Sequence, residues 1–297
     1  MGRNFGGVER NLIWAQLGAG LGLALLSACG PIEPSQDRAP PRAEPAPQVR
    51  CERAVEQERY ASKVLAAKDV DGRGYGNPQL AVNGVRGGGL WSSGLDVFSL
   101  NEAKDGQLII GFDAPVCDGP GNDLAVFENP FRARTGDTSS FEPVIVAVSA
   151  DGVSFFDLPH AFAPGAAASD TERAAAANSV TNWTGFAGLT PVLWHEETNG
   201  RAQGLSVFAG PAISGGDHFD LASITEENAR RVITRDGIIA VRLTAAPVAV
   251  DSEACRGTEL PCPNFPNVRH AFGGYGDIDG VYGRYRPEAI AADIAPR

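Results

Sequence analysis

Basic residues are scarce in this 297-residue chain, and lysine is almost missing. The only lysines are Lys63, Lys68 and Lys104, and the formal net charge at pH 7 is −11. Nucleic-acid binding usually depends on clustered lysine and arginine, which replace the counterions of the phosphate backbone. The composition therefore predicts that nucleic acid is not a partner. Abundant carboxylates suit a cation-binding protein, although solvated acidic faces are also common without a ligand.

The common sequence motifs of catalysis are missing as well. The chain has no Gly-x-Ser-x-Gly elbow, no His-Glu-x-x-His motif and no phosphate-binding glycine loop. Trp194-His195-Glu196-Glu197 comes closest to a catalytic cluster, but a polar run of this kind is typical of an exposed loop. Asp123 and Glu128 would imitate a glycosidase pair, yet such pairs arise by chance in an acidic chain. We therefore expect a non-catalytic protein and keep a hydrolase as the alternative.

The sequence has no long hydrophobic run, and its N-terminal apolar stretch is short. Residues 11–26 follow Arg3 and Arg10 and are rich in Leu, Ala and Gly. A basic start and small residues before a cleavage site predict a signal peptide over 1–28, because a membrane span needs about twenty apolar residues. The stretch ends in Leu26-Ser27-Ala28-Cys29, which resembles the lipobox of bacterial lipoproteins. The resemblance implies a diacylglyceryl anchor on Cys29, with palmitate among its acyl groups.

The residues after the cysteine predict a tether to the membrane. Residues 31–50 contain six prolines and no aromatic residue, so they cannot bury enough apolar surface to fold. We expect a disordered tether over 29–50 and one folded domain over 51–297, which is long enough for a sizeable core. Gly30 stands where an aspartate would resemble an inner-membrane retention signal. The predicted location is the bacterial cell envelope, at the outer membrane.

Four cysteines remain beside the predicted lipidation site. Their even number in an exported chain favours disulfides among Cys51, Cys117, Cys255 and Cys262. Cys255 and Cys262 would close a small loop, which leaves Cys51 to fix the start of the domain to Cys117. Three pairings exist in principle. A zinc site is the alternative, but the Cys-x6-Cys spacing and the lack of paired histidines nearby do not favour it.

Short apolar runs bounded by turn residues predict an all-β domain. Ala150-Asp151-Gly152 indicates a hairpin, because Asp-Gly adopts the positive φ angles of a tight turn. This rhythm predicts a β-sandwich or jelly roll with long loops. Residues 52–67 have helix-forming composition without a clear period, and 63–66 suit a strand equally well. The predicted strands are 79–85, 95–100, 107–112, 124–128, 144–149, 153–157, 205–208, 238–244 and 281–284.

An ordered set of motifs resembles a family of bacterial cell-surface proteins and lipoproteins. The motifs lie at 95–100, 118–123, 126–131, 148–153 and 215–221, and the resemblance covers residues 60–286. Its strand rhythm is similar to that of the discoidin or galactose-binding-like jelly roll, which is an analogy of fold and not of activity. The long segment containing Cys255 and Cys262 departs from the family pattern.

Three acidic clusters suggest a calcium site. Each combines glycine, which lets the backbone turn tightly, with carboxylates of the kind that calcium coordinates. If the clusters converged, they would supply six to eight oxygens. The alternative is that these residues only shape turns, since aspartate often accepts hydrogen bonds from its own loop. The predicted ligands are Asp118, Asp123, Glu128, Asp217, Asp220, Asp277 and Asp279.

Aromatic residues suggest a binding surface. Exposed on loops, they would stack on sugar rings, whereas most tryptophans of a β-sandwich pack in the core. We expect a lipid-anchored, calcium-stabilised binding module for a glycan or a surface protein. A calcium-supported glycan hydrolase and a purely structural envelope lipoprotein are the alternatives. The aromatic residues are Trp91, Trp183, Trp194, Tyr275, Tyr282 and Tyr285.

Overall fold

Antiparallel strands dominate the protein in a computed structural model that describes residues 50–103, 105–132, 139–163, 165, 169–246 and 276–288. The strands are β1 (Ala54–Tyr60), β2 (Lys63–Ala66), β3 (Phe98–Ser99), β4 (Gln107–Val116), β5 (Leu124–Phe127), β6 (Phe131–Arg132), β7 (Ser139–Ser140), β8 (Val144–Ser149), β9 (Phe156–Asp157), β10 (Ala161–Phe162), β11 (Trp183–Thr184), β12 (Asp217–Phe219), β13 (Ile238–Ala245), β14 (Asp277–Ile278) and β15 (Gly280–Pro287). The α-helices are α1 (Asp170–Ala176), α2 (Pro211–Ser214) and α3 (Glu227–Asp236). A π-helical segment covers Glu196–Ala202, and 3-10 helices cover Gly74–Gly76, Pro78–Val82, Leu100–Glu102, Val180–Asn182, Val207–Ala209 and Leu221–Ser223.

Two sheets contain most of the strand residues. One has the order β1-β15-β5-β12, and the other has the order β2-β4-β13-β8-β9. Neighbouring strands are antiparallel throughout both sheets. The remaining strands form the two-stranded pairs β3–β14, β6–β7 and β10–β11. The predicted all-β class is confirmed for the described residues.

Apolar side chains from both large sheets meet in one buried cluster. Because side chains alternate along a strand, Leu108 and Ile110 of β4 lie on the same face, and both are fully buried in this cluster. Val126 of β5 and Val281 of β15 join them from the other sheet. Burying one such side chain contributes about 1.5–3 kcal/mol. This shared core holds the two sheets together.

Strand β5 is buried on both faces. Leu124 and Val126 point into the shared core, whereas Ala125 and Phe127 belong to a second buried cluster with Trp194. The strand also has neighbours on both edges, β15 and β12. This position explains its continuous apolar sequence and places the residues just before and just after it deep in the protein.

The predicted hairpin at Asp151-Gly152 is confirmed. Strands β8 and β9 pair antiparallel across it, and Gly152 has a φ of +76°. The Asp151 carboxylate accepts hydrogen bonds from the backbone N–H groups of Val153 and Ser154 at 2.8 and 2.7 Å. These bonds hold the pKa of Asp151 well below its usual range.

The predicted pairing of Cys51 with Cys117 is confirmed. Their disulfide joins the start of the domain to the end of β4, with 5.5 Å between the Cα atoms. The Cys51 backbone N–H also donates to the carbonyl of Arg235, at the end of α3. The proposed partners Cys255 and Cys262, and the proposed lipidation site Cys29, lie outside the described residues.

Two predicted strands are instead 3-10 helices. The prediction for 79–85 is wrong because Pro78 starts a helical turn and the Asn77 side chain caps it by accepting from the Gln79 N–H. The prediction for 205–208 fails for a similar reason, since the Ser206 hydroxyl caps the turn Val207–Ala209. In both cases a local cap outweighs strand propensity.

Strand β1 and helix α3 were not predicted. Strand β1 is rich in Glu and Gln and is half exposed, and it becomes a strand because it pairs with β15. Helix α3 is capped by the Glu226 carboxylate, which accepts from the N–H groups of Asn228 and Ala229, and ends at Gly237 with a φ of +69°. Among the described residues, no helix is long and apolar enough to span a bilayer.

Candidate functional site

The structure brings three of the predicted calcium ligands together. One carboxylate oxygen from each of Asp118, Asp123 and Asp220 lies within 4.8 Å of the other two. Asp123 is fully buried, while Asp118 and Asp220 are half-buried. We call these three residues the aspartate cluster.

Backbone N–H groups occupy both oxygens of Asp123. Its Oδ1 accepts from Gly119 at 2.8 Å, and its Oδ2 accepts from Leu221, also at 2.8 Å. Burial raises the pKa of Asp123 to about 7, although these two bonds favour the ionised form. Asp123 thus ties its own loop to the segment that follows β12.

Asp220 shapes its own loop, and the pKa of Asp118 responds to the groups around it. Asp220 caps the 3-10 helix Leu221–Ser223, because its Oδ1 accepts from the Ala222 N–H at 2.8 Å. Burial and the nearby Asp220 charge raise the pKa of Asp118, and Arg230 partly offsets this shift.

Two further predicted ligands, Asp217 and Asp279, lie apart from this cluster and bind backbone elsewhere. Asp217 accepts from the Leu189 N–H at 2.9 Å and from the Thr190 hydroxyl at 2.8 Å. Both oxygens of Asp279 accept from the Arg86 N–H, at 2.9 and 3.1 Å. Burial raises the pKa of Asp217 to about 6 and that of Asp279 to about 7. Each carboxylate joins two segments that are distant in sequence.

The last two predicted ligands, Glu128 and Asp277, line a separate cleft together with Glu142. Glu128 Oε1 accepts from the Asp277 N–H, and Glu142 Oε2 accepts from the Gly276 N–H, both at 2.9 Å. Glu128 is only 2% exposed, and its Oε2 has no hydrogen-bond partner among the described residues. We call Glu128, Glu142 and Asp277 the cleft carboxyls.

The cleft carboxyls repel one another as anions. Burial and then the charge of Glu142 raise the pKa of Glu128 well above its usual value. Burial and then the charge of Asp277 raise the pKa of Glu142 to about 7. Because the charge of one carboxylate disfavours ionisation of its neighbour, Glu128 and Glu142 hold a proton more readily than isolated carboxyl groups do. The site therefore favours the arrival of a positive charge or a proton.

Loop residues and aromatic rings form the walls of the cleft. Its volume is about 320 Å³. Trp91 stands at this cleft with 52% of its surface exposed. The amide of Asn129 holds the adjoining loop by bonding both the N–H and the carbonyl of Gly94, at 2.7 and 2.8 Å. The lining residues are Trp91, Ser92, Ser93, Glu128, Asn129, Pro130, Phe131, Ser140, Phe141, Glu142 and Asp277.

Most of the other aromatic residues considered for stacking are buried. Trp183, Trp194, Tyr282 and Tyr285 are each at most 7% exposed, so they serve the core. Tyr275 lies outside the described residues. Among the described members of that set, Trp91 is therefore the one that a ligand can reach.

The cluster around His195 also serves packing. Glu196 accepts hydrogen bonds from the Tyr282 hydroxyl and, at 3.4 Å, from the Trp194 indole N–H. The His195 backbone N–H donates to the Asn199 side chain at 2.8 Å. These contacts attach the π-helical segment to strand β15.

Glu142 is the site residue that sequence reasoning missed. It stands between Phe141 and Pro143, away from glycine and from the other acidic runs. An isolated charge beside a buried aromatic residue was the available signal, but it is weak. The fold brings Glu142 to Glu128 because β8 begins just after it.

Comparison of the chain with protein-family models, with curated proteins and with solved structures gave no match.

Proposed function

We propose that this protein is an exported lipoprotein whose folded domain binds a ligand non-catalytically in the cleft at Glu128. The observation that carries the proposal is the cleft itself, where an exposed indole stands beside a buried carboxyl oxygen that has no hydrogen-bond partner among the described residues. Ligand sites are typically concave and partly apolar, with a few converging polar groups. The proposed ligand is a glycan or a group on a surface protein.

We further propose that the domain is a β-sandwich of the jelly-roll type. The shared core between the four-stranded and five-stranded sheets supports this architecture. The resemblance of the motifs between residues 60 and 286 to bacterial cell-surface proteins points the same way. In this arrangement the cleft lies beside the end of β5.

The proposed location is the outer membrane of the bacterial envelope. The lipobox-like residues before Cys29 support a lipid anchor. The proline-rich residues 31–50 support an extended tether between that anchor and the folded domain. The disulfide between Cys51 and Cys117 fits an oxidising compartment outside the cytoplasm.

Calcium is proposed as a stabilising ion at the aspartate cluster. The close approach of its three carboxylates supports this, since calcium binds oxygens and would offset their repulsion. Millimolar calcium should raise the melting temperature of the mature protein, and a chelator should reverse the rise. Asp118→Asn should abolish the shift, whereas Glu227→Gln, which changes an exposed charge on α3, should keep it. A melting temperature that calcium leaves unchanged would remove the ion from the proposal.

A glycan hydrolase is the second candidate. It is favoured by the pairing of Glu128 with Glu142, because glycosidases use two carboxyl groups, one of which has a raised pKa. In that case the cleft would bind a sugar and cleave its glycosidic bond.

A binding screen tests the proposed function. Envelope glycans and their monosaccharides would be titrated into the mature protein by calorimetry, with product analysis of each mixture. Binding without turnover, weakened several-fold or more in Trp91→Ala, is the expected result. Turnover that is lost in Glu128→Gln would support the hydrolase. Binding that Trp91→Ala leaves unchanged would place the ligand outside this cleft.

A further inference from the structure

A second pocket contains two arginine side chains and shares no lining residue with the cleft at Glu128. Its volume is about 220 Å³, and Arg59 and Arg286 line it together with Gln57 and Asp113. Basic residues are outnumbered by acidic ones in this chain, so two arginines at one pocket concentrate positive charge. We infer that this pocket binds a small oxyanion, namely a carboxylate or a phosphate group. The inference is independent of the proposed function, because it concerns a different site.

Arg286 is a buried cation without an anionic partner. Only 3% of its surface is exposed, and among the described residues it forms no ion pair with a carboxylate. Its Nη1 donates to the Ala114 carbonyl, whereas its Nε is buried and has no hydrogen-bond partner in the described part of the chain. Arginine is rarely buried unless it is paired, because removing a charge from water is costly. An oxyanion would supply both the missing charge and the missing acceptors.

The third nitrogen of Arg286, Nη2, is the atom that a ligand can contact. It has no hydrogen-bond partner among the described residues, and it is not closed off from solvent as Nε is. The N–H groups of Nε and Nη2 lie on one edge of the planar guanidinium. This edge matches the paired oxygens of a carboxylate or phosphate. The edge of Arg286 that the fold leaves without acceptors is therefore the one that recognises an oxyanion.

Two contacts orient the guanidinium of Arg286 before any ligand arrives. The Ala114 carbonyl accepts from Nη1, and the Cζ atom lies 5.5 Å from the centre of the Phe112 ring. A side chain that is already held in place loses less conformational entropy when it binds a ligand. These contacts therefore favour binding at the free edge.

Arg59 adds a second positive charge to the same pocket. Its side chain is exposed and donates through Nη1 to the Glu58 carbonyl at 2.8 Å, and it has no carboxylate partner within the described ranges. Burial, and then the charge of Arg59, lower the pKa of Arg286 to about 10. Two arginines whose charges repel each other are stabilised when an anion binds near both.

Asp113 is the acidic residue of this lining, and it does not supply that anion. Its side chain is 72% exposed, and its carboxylate pairs with Lys63 Nζ at 3.2 Å. Arg59, Arg286 and Lys63 thus place three positive charges in or beside the pocket against the single negative charge of Asp113. This excess favours an oxyanion over a neutral ligand or a metal ion.

Calorimetry with matched probes tests the inference on the mature protein. Acetate and inorganic phosphate are the charged probes, and acetamide is the neutral counterpart of acetate. At one fixed pH and ionic strength we expect the tighter of the two oxyanions to bind at least about tenfold better than acetamide, since it forms charge-assisted hydrogen bonds. Arg59→Gln should weaken that oxyanion about tenfold. Arg73→Gln, which removes an exposed arginine outside this lining, is the matched charge control and should bind as the wild type does.

The other outcomes identify the ligand class or overturn the inference. Tighter binding of acetate would assign a carboxylate ligand, and tighter binding of phosphate would assign a phosphate group. If neither oxyanion binds better than acetamide, or if Arg59→Gln binds as the wild type does, the inference is wrong. Arg286→Gln is the second variant and should lose at least as much affinity as Arg59→Gln. If it does not melt cooperatively, Arg59→Gln alone decides. None of these results depends on Trp91, so the proposed function is tested separately.

Discussion

Asp123 and Glu128 stand at the two ends of strand β5, and both are buried, yet their carboxyl groups have opposite surroundings. Asp123 has a backbone N–H on each oxygen, from Gly119 and from Leu221. Glu128 has one on Oε1, from Asp277, and none on Oε2 among the described residues. Both oxygens of the first carboxylate are satisfied by the fold, whereas one oxygen of the second has no donor among the described residues.

This contrast distinguishes two kinds of buried carboxylate, one with hydrogen-bond donors on both oxygens and one without. Asp217 and Asp279 resemble Asp123, because their carboxylate oxygens also accept hydrogen bonds from backbone and side-chain donors in distant segments. Such residues stabilise loops whose own apolar content is low. Burial and a raised pKa are common to Asp123 and Glu128, so these two properties do not separate the two kinds of carboxylate. The pattern of hydrogen-bond partners separates them.

The largest effect is expected from removing Asp123, whose loss can be compared with the loss of its neighbour Asp220. Asp123→Ala should lower the free energy of unfolding by about 2–4 kcal/mol, because it leaves the N–H groups of Gly119 and Leu221 without acceptors. Asp220→Ala, which removes a helix cap next to it, should cost only about 1 kcal/mol. Urea unfolding measures both. A loss for Asp123→Ala no larger than that for Asp220→Ala would contradict the structural role of Asp123.

The pH dependence of stability offers a second test. The folded-state pKa values of Asp123, Glu142 and Asp279 are raised to about 7, above the values near 4 of an unfolded chain. Between these values the folded protein binds more protons than the unfolded one, so its stability should fall as the pH rises from 5 to 8. We expect a decrease of at least about 1 kcal/mol in the unfolding free energy. Denaturant melts at several pH values measure it, and stability that increases over this range would contradict the raised pKa values.

The smallest expected effect is at the cleft. Glu142→Gln should raise the unfolding free energy at pH 8 by up to about 1 kcal/mol, because it removes a partly buried charge that lies near the like charge of Asp277. At pH 5, where Glu142 is protonated in the folded protein, the variant and the wild type should be nearly equal. Thermal melts at both pH values supply the readout. A strong destabilisation at pH 8 would mean that Glu142 is structural, as Asp123 is.

Parts of the fold were predictable because local sequence carried them. Strands β8 and β13 are largely apolar, β-branched runs, and both were predicted to within one residue of their observed bounds. The prediction 107–112 covers only the first six residues of β4, which continues through Asp113 and Pro115. Strand β1 was not predicted, because its Glu and Gln residues favour a helix in isolation. Its pairing with β15 makes it extended. Helix α3 begins at a local signal, the cap at Glu226, but its sequence lies outside the predicted elements.

The candidate site was less predictable than the strands. Seven acidic residues were singled out, and the structure brings three of them together in the aspartate cluster and two others together at the cleft. Glu142 completes the cleft, although its sequence neighbours mark it only weakly. The remaining pair, Asp217 and Asp279, bind backbone elsewhere in the domain.

The sequence by itself determined the local features: the apolar strands, the Asp151-Gly152 turn and the all-β character of the described residues. These depend on interactions within a few positions of the chain. Only the tertiary structure decided which carboxylates are satisfied and which face a cleft. Asp123 has one local donor, Gly119, but its second donor, Leu221, and the Glu128 donor, Asp277, lie far along the chain, and the order of strands in the sheets brings them close. Local sequence patterns contain no information about hydrogen-bond donors that lie a hundred or so positions away in the chain.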